Sequence, residues 1–373
     1  MFFRAERADL LAGITKAMRA STTKGEPDLG CVLIKVMEDG VRFTGTNFDI
    51  TIETALIPII PSSDIEVGGV LVYAKVLAGI IKSMPPGEVQ IASQRHDVVI
   101  SSGNVKMLIP GEVPMGFPKF QAEAIIGNVT MDCDKLQQLF TQVKHCASKN
   151  PEKLAFTGAL LNVSAERIEM CTCDGFRAAL SRCTVERYSF KGEGFSVIIP
   201  MYAIAEAVKF LPKKGGQFTL TTDGNQAWID HNGAKFTTRL IKSEFVKYTE
   251  SFVKTDKRKV ILNRGELIAS IMRALLLRME GHRGLPVMLK VEKEYIQIKA
   301  TSDRGELNDE VAVASEAEGL IIYFNPIYLM EALKSMGSEQ IEMHFGTPIN
   351  PCIIHPLGEN EHSQVLVPMR PPA

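Results

Sequence analysis

The sequence predicts an α+β chain built from three tandem copies of one two-helix, β-rich module. Three observations carry that prediction. First, alternating strand-like runs meet at a polar turn three times. These are Val41–Asp49 leading into Ile50-Thr-Ile-Glu-Thr, Ile168–Ser181, and Ile296–Arg304 leading into Gly305-Glu-Leu. Aligned on Asn47, Asp174 and Asp303, the turns lie 127 and 129 residues apart, close to a third of the 373-residue chain. Second, an amphipathic helix pattern precedes each turn. Third, another helix pattern follows each turn at nearly the same period. Several independent landmarks recurring at one period mark an internal repeat.

The first helices are predicted at Arg7–Ala20, Asp134–Lys149 and Arg264–Glu280. Leu10, Leu11, Ile14 and Met18 line one face of the first. Leu136, Leu139, Phe140 and Val143 line the second, and Leu267, Ile268, Ile271, Met272 and Leu275 the third. Spacings of three and four put these residues on one stripe of a helix. In the middle copy Asp174-Gly175 reads as the hairpin turn, because Asp-Gly between alternating runs is a strong hairpin signal. The second helices are predicted at Ala74–Met84, Met201–Lys214 and Pro326–Met336, each after a β-branched run. Pro85, Pro212 and Gly337 supply their stops. Strand-like Val89-Gln-Ile, Phe218-Thr-Leu-Thr and Ile341-Glu-Met follow. The expected modules are residues 1–126, 127–255 and 256–373, the last boundary lying in the charged stretch Lys254–Lys259.

Composition narrows the function. Hydrophobic residues make up 45% and charged residues 23%, as in ordinary soluble globular proteins. No apolar run reaches the roughly 18 residues of a membrane span, and no secretory signal is visible, so the cytoplasm is the expected location. Seven scattered cysteines argue for reduced thiols rather than a disulfide framework. The net charge of −1 hides a split: the six predicted helices carry +9 and the remainder −10. Two accounts of that split stand. Cationic helices on one surface would attract phosphate backbones without reading sequence. Alternatively, lysine and arginine are simply good helix formers on solvated faces.

Catalytic signatures are absent. No Cys-x-x-Cys or His-x-x-x-His pair offers the usual zinc spacing. Cys171-x-Cys173 sets two thiols on one side of a strand, where packed small residues explain them. Pro212-Lys-Lys-Gly-Gly216 is a turn rather than a phosphate cradle, and no Gly-x-Ser-x-Gly elbow occurs. A repeated plain module without such motifs points to a scaffold that is not an enzyme and takes no cofactor or metal. An enzyme whose site carries no recognisable motif is the remaining alternative.

Four segments resemble one family. They are Thr44-Gly-Thr-Asn-Phe-Asp49, Asp174-Gly-Phe-Arg177, Phe324-Asn-Pro-Ile-Tyr328 and the ending Val365-Leu-Val-Pro-Met-Arg370. With the threefold repeat they make the chain similar, over essentially its whole length, to the bacterial β sliding clamps, the processivity factors of DNA polymerase. The resemblance implies a ring formed by a head-to-tail homodimer, with helices lining the hole and strands outside. It also implies sequence-nonspecific binding of duplex DNA, and the replicative polymerase, the clamp loader and other clamp-binding-motif proteins as partners, in the cytoplasm and on the nucleoid. The DNA-facing residues it implies are Lys16, Arg19, Lys24, Lys82, Lys144, Lys149, Asn150, Lys153, Lys209, Lys213, Arg273, Arg278 and Lys334. The partner-peptide pocket it implies uses Phe156, Cys173, Gly175, Phe176, Arg177, Ala178, Val246, Asn325, Tyr328, Ile349 and Pro351. The tail Val365, Leu366, Val367, Pro368, Met369 and Arg370 completes it. Phe176 stands where the family often has histidine, and Cys173 where it often has threonine. Glu250 and Ser251 replace basic and aliphatic residues, and Pro371-Pro-Ala373 extends the tail. A clamp-fold interaction hub that has lost DNA loading is a second reading.

Overall fold

The computed structural model describes residues 1–21, 27–94, 97–118, 120–190, 192–252, 258–278 and 285–371. Lys24, the end of the third predicted helix and most of the charged stretch before Lys259 lie outside the described residues.

Six α-helices occur among the described residues, two per copy: α1 (Arg7–Met18), α2 (Ala74–Ser83), α3 (Cys133–Val143), α4 (Met201–Phe210), α5 (Arg264–Leu276) and α6 (Pro326–Ser335). Their buried stripes follow the predicted spacing, with Leu10 and Ile14 in α1 and Leu267 and Ile271 in α5. Asparagine caps begin α5 and α6. Asn263 Oδ1 accepts from Glu266 N–H at 3.1 Å, and Asn325 Oδ1 from Ile327 N–H at 2.9 Å. Pro326 follows as the first helical residue, where its missing N–H costs nothing. The middle helix is shorter than Asp134–Lys149. It stops at Val143, whose carbonyl accepts the Thr172 hydroxyl, and a 3-10 turn, Lys144–Cys146, follows.

The described residues form two compact units. One comprises Met1–Asp134, Glu186–Glu193 and Tyr202–Leu240; the other comprises Lys135–Val185, Gly194–Met201 and Ile241–Ala373. The middle copy is thus shared between the units. The first unit holds a four-stranded sheet in the order Phe2–Glu6, Glu88–Gln94, Asp97–Ser102, Val105–Pro110. It also holds a nine-stranded sheet, in which Ala234–Arg239 lies beside Ile50–Glu53. The second unit is organised on a twelve-stranded sheet, in which His362–Leu366 lies beside Arg177–Thr184.

Those two contacts follow one rule. The last strand of a copy pairs antiparallel with the strand that leaves the polar turn of the copy before it. Phe236 lies opposite Ile52 and Thr238 opposite Ile50 at the first joint. Gln364 lies opposite Ala179 and Leu366 opposite Arg177 at the second. The next residue then donates its N–H to the turn: Arg239 to the Asp49 carbonyl and Val367 to the Phe176 carbonyl, each at 2.9 Å. Alternation along the strands sends one face of each sheet inward. Phe3, Ile34, Phe43 and Leu77 fill the core of the first copy, and Leu289, Ile298, Phe324 and Met343 that of the third.

Candidate partner-binding site

The predicted pocket residues all lie in the second unit, around the turn after strand Arg167–Cys173. The turn is closed by Asp174. Its Oδ1 accepts from Phe176 N–H at 2.9 Å and Arg177 N–H at 3.0 Å, so the aspartate takes the first corner. The central residues are therefore Gly175 and Phe176, one position later than the predicted Asp-Gly pair. Gly175 has φ +96°, the left-handed conformation that glycine adopts at least cost, and glycine at the first central position suits a II′-type hairpin. The same Asx turn occurs at Asn47, whose Oδ1 accepts from Asp49 and Ile50 N–H at 3.1 and 2.8 Å. In the third copy the equivalent corner is Ser302, opposite Gly305, rather than Asp303. Its hydroxyl accepts from Arg304 N–H at 3.1 Å, doing the work of the Asx oxygen.

Arg177 organises the centre. Its side chain is 10% exposed, donates to Asp174 Oδ2 at 3.0 Å, and also pairs with Glu331 of α6. Its guanidinium carbon lies 4.1 Å from the centroid of the Tyr328 ring. Two carboxylates and an aromatic face thus fix one planar cation, which orients α6 against the turn. Asn325 sits one residue before α6 and spends its side-chain oxygen on the cap. Lys153 Nζ donates to the Asp174 carbonyl at 3.3 Å and stands 5.7 Å from the Phe176 ring centroid and 5.9 Å from that of Phe156. A residue expected to face DNA therefore forms an edge of this pocket.

The wall is aromatic. Phe156, Phe245, Tyr248 and Phe252 follow one another edge to face, with centroid separations of 6.0, 6.4 and 6.3 Å. The Tyr248 hydroxyl donates to Glu169 Oε2 at 2.8 Å, and Arg182 holds Glu169 Oε1 at 2.6 Å. That anchor lays residues 245–252 over Cys171 and Leu180. Ala178, Ile353 and Val365 form an adjoining apolar floor, with Cys173 and Phe252 against it. Burial pushes the Cys171 and Cys173 thiols above their usual range, as for packing residues. Phe245, Tyr248, Phe252 and Glu331 were not among the predicted residues. The spacing of three and four in Phe245-x-x-Tyr248-x-x-x-Phe252 was the available sign.

Large apolar side chains remain in solvent around this floor: Phe176 is 59% exposed, Ile349 84%, Val246 44% and Val367 40%. Pro351 is exposed beside them. In the tail, Val365 and Leu366 are buried in the sheet and act through it. Val367, Pro368, Met369 and Arg370 run beyond, with Met369 N–H donating to the Tyr323 carbonyl at 2.7 Å. An exposed apolar strip beside a fixed cation suits an extended peptide.

The other predicted DNA-facing residues are spread over both units. Lys82, Lys144, Lys149, Asn150, Lys209, Lys213 and Lys334 are exposed. Lys16 is half-buried, its Nζ 4.0 Å from the Phe210 ring centroid, and burial lowers its pKa. Arg19 donates to the Lys209 carbonyl at 2.7 Å. These two tie α1 to α4 at the first joint. Arg273 pairs with Asp309, and Arg278 is half-buried, its carbonyl accepting from Arg304 at 3.2 Å. No helix among the described residues is long and apolar enough to cross a membrane.

Comparison with known proteins gives one answer along the chain. Family models of the DNA polymerase III beta subunit match at residues 1–120 (N-terminal domain), 130–247 (central domain) and 251–370 (C-terminal domain). The beta sliding clamp of Staphylococcus aureus is 26% identical over 363 residues, covering 95% of this chain and 94% of that protein. That of Staphylococcus epidermidis is 25% identical over the same coverage. Among solved structures, the DNA polymerase sliding clamp from Bacillus subtilis aligns with a TM-score of 0.91 at 25% identity, over 100% of this chain and 99% of that one. The DNA polymerase III beta subunit from Pseudomonas aeruginosa aligns with a TM-score of 0.92 at 21% identity, over 99% of this chain and 100% of that one. With its threefold module and these matches end to end, the chain belongs to the bacterial β sliding clamp family of DNA polymerase III, a family of non-catalytic processivity factors.

Proposed function

We propose that two copies of this chain close head to tail into a ring that encircles duplex DNA and holds a polymerase on it. The observation that carries the ring is the joining rule. Applied twice within the chain, it leaves one strand of each kind over: Val105–Pro110, last in the first copy, and Gly305–Ser315, which leaves the turn of the third. Val105–Pro110 is paired on one side only, and of Gly305–Ser315 the residues Val313–Ser315 already pair with Val260–Leu262, which leaves the part next to the turn for a partner. Val105–Pro110 is the outer strand of its sheet and exposes Val105, Met107 and Leu108, the last at 64%. An open apolar edge strand is a pairing surface.

The two joints also give the register. Matching turn to turn sets Ile109 opposite Gly305, Leu108 opposite Glu306 and Met107 opposite Leu307 of the second copy of the chain. Met107 and Leu307 then occupy the inward positions that Phe236 and Ile52 hold at the first joint. On α5, Met272 and Leu276 are 53% and 77% exposed and would be covered by the same contact. A ring holds DNA by topology, so weak and sequence-blind contacts suffice, and the scattered exposed lysines fit that need. The modules are residues 1–126, 127–255 and 256–373. The replicative polymerase, the loader and other proteins carrying the short motif dock at Arg177, Phe176, Tyr328, Ile349 and the tail. The protein works in the cytoplasm on nucleoid DNA.

Leu108→Cys combined with Glu306→Cys tests the register. Opposed Cα atoms in an antiparallel pair lie about 4.5–5.5 Å apart, within disulfide reach. Oxidation is expected to give a covalent dimer only in the double variant, retained on nicked circular DNA and lost from linear DNA. A monomeric mass with no cross-link would overturn the ring.

A further inference from the structure

We propose that Glu342, His344 and His355 form a binding site for a divalent cation of the zinc class, on the face of the twelve-stranded sheet opposite the third copy's core. The placement follows from strand alternation. Ile341, Met343 and Phe345 of strand Gln340–Phe345, and Cys352 and Ile354 of Cys352–Pro356, point into the core. Glu342, His344 and His355 therefore share the other face. Glu342 is directly opposite His355 across the two strands, and His344 is two residues along. No local spacing motif could announce this set, because the ligands meet through pairing rather than along one turn of helix.

The three ligand atoms converge. His344 Nε2 lies 2.6 Å from Glu342 Oε1 and 3.0 Å from His355 Nε2, and His355 Nε2 lies 4.0 Å from Glu342 Oε1. Among the described residues this is the one group of three or more such side chains with ligand atoms all within 4.8 Å of one another. Tetrahedral ligand atoms about 2.0–2.1 Å from zinc lie about 3.3 Å apart, and the three separations here bracket that spacing, so sub-ångström side-chain shifts would seat an ion. Two histidines and a glutamate are a known zinc donor set, with the fourth position left for water.

The surroundings prepare the ligands. The Nδ1 of His355 is 3.0 Å from the Pro356 carbonyl, which can only accept. The proton is therefore on Nδ1, and in the neutral ring Nε2 carries the lone pair. This is the outer-shell arrangement typical of metal-binding imidazoles. The two rings are stacked at 14° with centroids 5.1 Å apart, so both are held. His355 is 2% exposed and Glu342 7%, so a cation here competes with little water. Lys259 Nζ lies 3.2 Å from Glu342 Oε1. Its half-exposed stem can swing out when a divalent charge arrives. A bound ion would clip two strands of the sheet whose next strand, His362–Leu366, leads into the partner-binding tail.

The test uses full-length protein stripped with EDTA, titrated with zinc chloride by calorimetry and with cobalt chloride by visible absorption. One zinc per chain, a rise in Tm, and the visible bands of tetrahedral cobalt are expected. His344→Ala and Glu342→Gln should each weaken zinc binding tenfold or more. Glu342→Gln keeps the side chain's shape, and circular dichroism in EDTA checks that both variants fold. No zinc uptake by the stripped parent would overturn the site. So would uptake unchanged in both folded variants, which would place the metal on other histidines.

Discussion

The two joints inside the chain share one backbone plan and differ in what they bury. At the first, the inward positions are Ile50, Ile52 and Phe236, and Phe236 meets Phe210 of α4 with centroids 5.8 Å apart. At the second, the equivalent positions are Arg177, Ala179 and Gln364. Gln364 is fully buried, yet its amide donates to the Gln142 carbonyl and the Ser335 hydroxyl, each at 3.0 Å. Its oxygen lies 3.1 Å from His145 Nε2, and His362 lies 2.7 Å from its amide. The first joint is an apolar seam; the second is a polar network beneath the candidate peptide site. The repeat supplies the joint, and the second copy of it has been rewired around directional contacts. Such contacts fix geometry more sharply than packing does and are costlier when left half-made.

Cutting the apolar seam should have the largest effect on stability. Phe236→Ala is expected to cost about 3–5 kcal/mol, the usual range for an aromatic removed from a core. Urea unfolding would read it, and peptide binding at the second joint should be unchanged. A loss below about 1 kcal/mol would mean the seam is not what holds the first two copies together.

Acid should separate the joints next. Burial, with Arg177 nearby, pushes the His145 pKa down to about 4, and burial beside His145 does the same for His362. Unfolded histidine titrates near 6.5. Above that pH neither state is protonated, and stability is full. As pH falls from about 6.5 towards 4, the unfolded chain takes up protons that the folded chain refuses, so stability falls. Each histidine contributes at most on the order of 3 kcal/mol across that window. The urea midpoint should therefore drop between pH 7.5 and 4.5, and the double variant His145→Asn, His362→Asn should flatten the dependence. An equal slope in the double variant would remove these histidines as its cause.

How much of this the sequence discloses also differs between the joints. The helices, the period and the alternating strand-like runs were legible because stripes at three and four, and alternation at two, are local. The apolar joint follows from the same alternation: Phe236 and Ile52 are ordinary inward residues. The wiring of the second joint was not legible. Gln364 reads as a surface residue, and its partners lie 222, 219, 29 and 2 residues away. Glu331 reads as a solvated helix position until α6 is set against Arg177. The turn was placed one residue early because Asp-Gly pairs usually occupy both central positions. Here the aspartate side chain closes the turn from its first corner.

Arg177 is where the rewired joint meets the proposed peptide site, and removing it should trade little stability for much binding. Arg177→Ala leaves Asp174 and Glu331 without their shared cation. Glu331 is 42% exposed and can turn to water, so the stability loss should be about 1–3 kcal/mol, less than that of Phe236→Ala. Affinity for a polymerase-derived motif peptide should fall at least tenfold by fluorescence anisotropy, with the dimer's mass unchanged. Full affinity in this variant would dissociate the peptide site from the polar joint.

The smallest effect lies in the turns themselves. Gly175 and Phe48 occupy the same position, and both have positive φ, +96° and +71°. Glycine adopts that conformation freely, whereas a side chain there costs about 1–2 kcal/mol. Phe48→Gly should recover that strain, partly offset by the lost contacts of a ring that is 37% exposed. A gain under about 1 kcal/mol is expected, because glycine also loosens the unfolded chain. Gly175→Ala should move the other way by about 1 kcal/mol, with the added methyl carbon 3.2 Å from Lys153 Nζ. Opposite signs at equivalent positions would show that the turn at Gly175 is the relaxed one and its counterpart carries the strain. Equal signs would mean that neighbouring contacts, not the backbone, decide which residue each turn tolerates.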